Sequence, residues 1–167
     1  MFLRFRPKTK IADLKEGSIC VVEGTAAAGD TLQLPAGDNI RCLCYDITME
    51  SYRVGSRGRG RAMWIPDKAE RKATNFFVSD DTGKVWVQAD TPGLILSGAL
   101  TLSGRLRKKA NKRFVAAILR DGDIIRIRGL VSASRPQDGE PKDTLVIRPG
   151  PKGDLEILVR KKFEDKN

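Results

Sequence analysis

Residues 76–88 constrain this chain more than any other stretch. Phe76 and Val78 recur at alternate positions, as do Val85 and Val87, on either side of Asp80-Asp81-Thr82-Gly83, a turn whose glycine can take a positive φ without steric cost. The segment reads as a β-hairpin. A hairpin this short cannot bury enough apolar surface to stand alone, so further strands must cover it.

Those strands are legible on both sides. Ser18 to Ala28 starts β-branched and holds Gly24, a residue that inside a strand marks a bulge or the bend of a small barrel. Ile40 to Tyr52 reads as the longest strand, with Leu43, Tyr45, Ile47 and Met49 facing the core and Cys42, Cys44, Asp46, Thr48 and Glu50 solvated or half-covered. Asp67 to Thr74 is charged and reads as a connection. Leu94 to Leu106 fits both a helix broken near Gly98 or Gly104 and an alternating strand. In Asp123 to Ser132, Ile125, Ile127 and Val131 face one way and Arg126 and Arg128 the other, and Thr144 to Arg148 and Leu155 to Val159 close the series. Seven or eight short strands separated by turn signals predict an all-β fold with minor α content: an elaborated OB-like β-barrel with inserted loops and one or two short helices. The expected organisation is a basic lead-in over 1–10, one barrel domain over 11–160 and a polar tail over 161–167.

Charge bears on partners rather than on fold. Lys and Arg total 31 against 21 Asp and Glu, a net charge of +10, which attracts polyanions: nucleic acid, acidic proteins or an anionic membrane face. The cations cluster. Arg57, Arg59 and Arg61 alternate with glycine just before Trp64, a pattern that reads either as a solvated hairpin tip or as an Arg-Gly tract that meets phosphates and stacks on bases. Arg105, Arg107, Lys108, Lys109, Lys112 and Arg113 form the densest basic run, read as a solvated loop or as an anion contact. Trp86 lies on the opposite face from Val85 and Val87, where it packs under a helix or forms a stacking platform. These residues, with Arg126 and Arg128, are the candidate ligand- or polyanion-binding set.

Catalysis is not expected. The chain has no histidine, so general acid-base chemistry near neutral pH would fall to tuned carboxylates, lysines or a cysteine. Asp80 and Asp81 are adjacent in the chain and are better explained by the turn. Cys20, Cys42 and Cys44 are too few for a four-ligand zinc site without histidine, and we expect reduced thiols, no metal and no cofactor. No run of about eighteen apolar residues occurs, and the expected location is cytoplasmic, with membrane association through a missing anchor or a partner.

Order and spacing carry a further signal. Val21-Val22-Glu23-Gly24, Leu32 and Leu34-Pro35, Arg41-Cys42-Leu43-Cys44-Tyr45, a loop ending in Trp64, the hairpin above, and Ile118-Leu119-x-Asp121-Gly122-Asp123-x-Ile125-x-Ile127-x-Gly129 together resemble the GIDE domain, also called MULAN or beside-a-membrane, over about residues 11 to 160. The resemblance implies a module next to a membrane. The ubiquitin-ligase activity of eukaryotic members belongs to a zinc-binding RING and does not carry over to three cysteines. Ala116 and Ala117 stand where relatives carry an acidic residue, so a ligand contact from that position is not expected. The function implied is a non-catalytic binding or assembly module, membrane-proximal, that recognises a protein partner or small ligand. The alternative is an OB-type nucleic-acid or nucleotide binder using its basic loops and barrel face.

Overall fold

The computed structural model describes residues 7–35, 39–55, 60–106 and 111–161. The hairpin is present as β6 (Phe76–Asp80) and β7 (Gly83–Val87), with Asp80 opposite Gly83. Phe76, Val78, Val85 and Val87 are buried, as their alternation requires. The turn is held differently from the expectation, because Gly83 is not among the positive-φ glycines. Instead the Asp80 carboxylate accepts hydrogen bonds from the Thr82 and Gly83 amides and the Thr82 hydroxyl, and its second oxygen accepts from the Ile11 amide. The side chain does the work assigned to glycine.

Three more strands close a barrel around this hairpin. They are β1 (Ile19–Ala28), β11 (Ile124–Ala133) and β12 (Leu145–Arg148). Neighbours run β1-β6-β7-β12-β11 and back to β1, all antiparallel except β7 with β12. Closure removes the open edges that a five-stranded sheet would otherwise present. Cys20, Val22 and Ala26 of β1 and Ile125, Ile127 and Val131 of β11 join the hairpin residues in one core. Two glycines mark where strands exchange partners. β1 pairs with β11 up to Thr25 and with β6 from Thr25 onward, and a Cβ on Gly24 would lie 2.2 Å from the Ser79 carbonyl oxygen. On the far edge of β11, β13 (Leu155–Lys161) gives way to β12 at Gly129, whose Cβ would lie 2.6 Å from the Arg148 carbonyl oxygen. Any side chain at either position would push neighbouring backbone apart. β8 (Leu94–Ser97) adds parallel to β13.

Two insertions build a second layer. Between β1 and β6 lie the short ribbon β2 (Leu32–Gln33) and β3 (Arg41–Cys42), then β4 (Cys44–Arg53) and β5 (Met63–Ala73). Between β7 and β11, β9 (Leu100–Arg105) and β10 (Lys112–Leu119) follow β8. β4 and β10 pair antiparallel, giving a four-stranded sheet in the order β5-β4-β10-β9. One face of it forms a second core of Leu34, Cys42, Tyr45, Ile47, Phe114, Ala116 and Ile118.

Several expectations are corrected. Thirteen strands occur among the described residues instead of seven or eight, and the only helical pieces there are 3-10 turns at Ile11–Asp13 and Pro136–Asp138. Asp67 to Ala73, expected as a connection, belongs to β5, the longest strand. As an edge strand exposed along nearly all its length it has no need of apolar alternation, and its ladder with β4 defines it. Leu94 to Leu106 is two strands in two different sheets. Cys42 and Cys44 are fully buried, not half-solvated, because strand pairing breaks at Leu43 and each cysteine then enters a different core.

Buried and half-buried ion pairs fasten neighbouring strands and one connecting segment of the barrel. Glu140 and Arg148 are both buried and meet through two bonds of 2.7 and 2.8 Å. Arg148 also donates to Gln88 and to the Ala133 carbonyl, and Glu140 accepts from the Arg135 amide. On Glu140, burial opposes the charge, yet the Arg148 guanidinium and the Arg135 amide outweigh it and hold the carboxyl below its ordinary value of 4.5. The same balance holds for Glu23, where Arg126 and Lys8 overcome desolvation, and for Asp80, where the turn hydrogen bonds do. A depressed folded-state value means stability that is present above the unfolded value and lost as the pH falls through the folded one. Stability should therefore hold level down to about pH 5 and fall progressively below it, which denaturant midpoints measured from neutral to acidic pH will show. A midpoint independent of pH in the acid range would refute this linkage.

Candidate interface at the end of the four-stranded sheet

The β4–β10 pairing sets the described members of the two basic clusters, Arg61 and Arg105, Lys112 and Arg113, at one end of the sheet. Ser51 opposite Lys112 and Glu50 opposite Arg113 set the outer end of hairpin β4–β5 beside that of hairpin β9–β10. At that end Tyr52 pairs with Trp64, Arg53 with Met63, and Arg113 with both Glu50 and Arg105. Tyr52 and Trp64 rings are tilted with centroids 5.3 Å apart, and the Arg113 guanidinium sits 4.5 Å over the Trp64 ring while its Nε donates to Glu50 at 2.5 Å. A cation over an indole face is attracted by the ring quadrupole. This contact holds Trp64 half-buried on the sheet.

Around this cluster the surface is both apolar and cationic. Of the six exposed large apolar side chains among the described residues, four lie at this end of the sheet: Tyr52 on the Trp64 side, Met63 and Ile65 by alternation on the other side, and Val54 just past the end of β4, with Val54 66% and Met63 56% exposed. Arg53, Arg61 and Arg105 are also exposed. Lys112 is half-buried and lies 3.8 Å from Asp67, which also accepts from the Ser51 hydroxyl. Monomeric proteins rarely gather apolar side chains at an exposed hairpin end without a use for them.

The other candidates divide. Arg57, Arg59, Arg107, Lys108 and Lys109 lie outside the described residues. Arg126 does not present its charge to solvent as expected: it is buried and donates to Glu23, its cross-strand neighbour on β1, at 2.9 and 3.1 Å. Arg128 is half-buried and paired with Glu156 at 3.5 Å. Trp86 is on the barrel, edge-on to Phe77 at 4.7 Å, with Lys84 over the Phe77 ring at 4.6 Å. No helix among the described residues covers Trp86; Phe77 and Gly29 pack against its ring. Tyr52, Val54, Met63 and Ile65 carry no signal in the sequence, since in or beside a strand they are ordinary residues until both hairpin ends are seen together.

The cysteines are chemically quiet. Burial pushes the Cys20 and Cys42 thiols up to about 11 and, with Cys42 as a neighbour, Cys44 up to about 12. A thiol held protonated and buried is a poor nucleophile and a poor metal ligand. No helix among the described residues is long and apolar enough to cross a membrane. Comparison with known proteins finds no matching protein-family model, curated protein or solved structure.

Proposed function

We propose that this protein is a non-catalytic binding module that works beside a membrane, with the paired hairpin ends resting on an anionic bilayer surface. The observation that carries this reading is that four exposed apolar side chains, Arg53, Arg61, Arg105 and the Arg113–Trp64 stack surround one end of one sheet, on both of its faces. Aromatic and aliphatic groups there reach the headgroup boundary, while the cations meet lipid phosphates, each worth about 1 kcal/mol near an anionic surface. The resemblance to the GIDE family agrees with such a position. The barrel we read as OB-type, since its strands follow one another around the circle as first, second, third, fifth and fourth, with the third and fifth parallel.

Vesicle co-sedimentation tests it. Binding to phosphatidylserine-containing vesicles, weak or absent on phosphatidylcholine alone, is expected to fall by about 1 kcal/mol for each of Arg53→Glu and Arg61→Glu at a minimum. In a Trp86→Phe background Trp64 is the only tryptophan, and its emission should shift to the blue on binding. No binding at low salt would refute the reading.

A nucleic-acid reading rests on the same cations and on the Tyr52–Trp64 pair. It requires fluorescence anisotropy changes with a labelled single strand, steep loss between about 50 and 200 mM salt, and a loss of about 1–3 kcal/mol on Trp64→Ala.

A further inference from the structure

The two edges of the four-stranded sheet are built differently. On β5 the edge carries Pro66 and the charges of Asp67, Lys68, Glu70, Arg71 and Lys72, the devices that keep an edge from pairing with another strand. On β9 the sequence is Leu100-Thr101-Leu102-Ser103-Gly104-Arg105, with no proline, no acid and one cation at its end. That edge is unguarded.

Its phase follows from one bond. Leu106 N–H donates to the Lys112 carbonyl at 3.0 Å, and antiparallel alternation back along the ladder turns Leu100, Leu102 and Gly104 towards β10 and Thr101, Ser103 and Arg105 outward. Thr101 and Ser103 are exposed, and neither makes an outward hydrogen bond to another described residue. Beside this edge, on the face of the second core, lies a cavity of about 480 Å³ lined by Leu100, Leu102, Ile118, Ile40, Arg41 and Arg120, with Asn39 and Asp121 at its polar side. Leu100 and Leu102 are only half-covered at the rim of that core.

We propose that β9 is the docking edge for an extended segment of a protein partner, which adds as a fifth strand and alternates apolar with acidic residues. Outward backbone groups of Thr101 and Ser103 supply the ladder. Apolar side chains on one face of the added strand fall beside Leu100 and Leu102 and fill the cavity, the pattern in which main-chain bonds give affinity and alternate pockets give specificity. The acidic residues then point to the other face, where Arg105 is exposed, and they suit the net charge of +10. That charge also argues against a second copy, since two such chains repel.

A labelled synthetic peptide of about eight residues, alternating valine and glutamate, is expected to gain fluorescence anisotropy when titrated with the full chain. The same peptide with lysine for glutamate should not. Ser103→Pro removes an outward N–H without touching the ladder to β10, a place where a strand tolerates proline, and should weaken the peptide by about fivefold or more with Tm unchanged. Independently of any variant, the amides of Thr101 and Ser103 should gain hydrogen-exchange protection when the peptide is added. The proposal is overturned by unchanged anisotropy at low salt, by equal binding of the lysine peptide, or by a dimer in sedimentation with Thr101 and Ser103 already protected. Arg61→Glu and Trp64→Ala should leave peptide affinity unchanged, so this proposal and the membrane reading fail separately.

Discussion

Replacing Arg148 with methionine should destabilise the barrel by about 3–5 kcal/mol, because it leaves the Glu140 carboxylate buried without its counter-charge. The pair is bidentate, both residues are 8% exposed, and Arg148 further anchors Gln88 and the Ala133 carbonyl. It also closes the 134–144 segment over β12. Val146, on the opposite side of that strand from the core residue Ile147, is completely buried. Replacing both charges, Glu140→Leu with Arg148→Met, should recover most of the loss, since a well-packed apolar pair is often as stable as a buried ion pair. Thermal unfolding of the two variants separates the cases, at about 2–4 °C per kcal/mol for a chain of this size. A single variant within about 1 kcal/mol of the parent would mean that the pair is solvated and its burial inconsequential.

The second large effect is expected at Phe76. Its side chain is completely buried among Val78, Val85, Val87 and the β11 isoleucines, and Phe76→Ala should cost about 3–5 kcal/mol. Collapse into the cavity is restricted, because β6 is held by ladders to β1 and β7 on both edges. Phe77→Ala, one position along, removes a half-buried ring from the outside of the barrel and should cost clearly less. Urea midpoints at constant m-value give both numbers. Equal losses at the two positions would contradict the inward and outward assignment of the hairpin and, with it, the barrel.

How well the chain can be read without its structure varies by segment, for identifiable reasons. Strands buried on one face announce themselves: Phe76 and Val78, Val85 and Val87, Ile125 and Ile127 alternate because one side of each faces the core and the other does not. β5 gives no such signal, because an edge strand exposed on both faces is under no apolar constraint. Leu94 to Leu106 is ambiguous in sequence because it holds two short strands that serve different sheets, so no single period runs through it. Arg126 and Arg128 looked like outward charges available to a ligand, and only Glu23 and Glu156, contributed by β1 and β13, show what they neutralise.

By itself the sequence determined the alternating segments, the turn at Asp80 to Gly83, the all-β class and the sign of the charge, since each depends on neighbours a few positions away. Tertiary structure alone decided that Arg61, Arg105 and Arg113 share one sheet end, that Cys42 and Cys44 enter separate cores, and that β9 is an edge strand. Each of these depends on the register between segments far apart in the chain. Such register is set by which ladders form and which faces bury together, and no local pattern carries it.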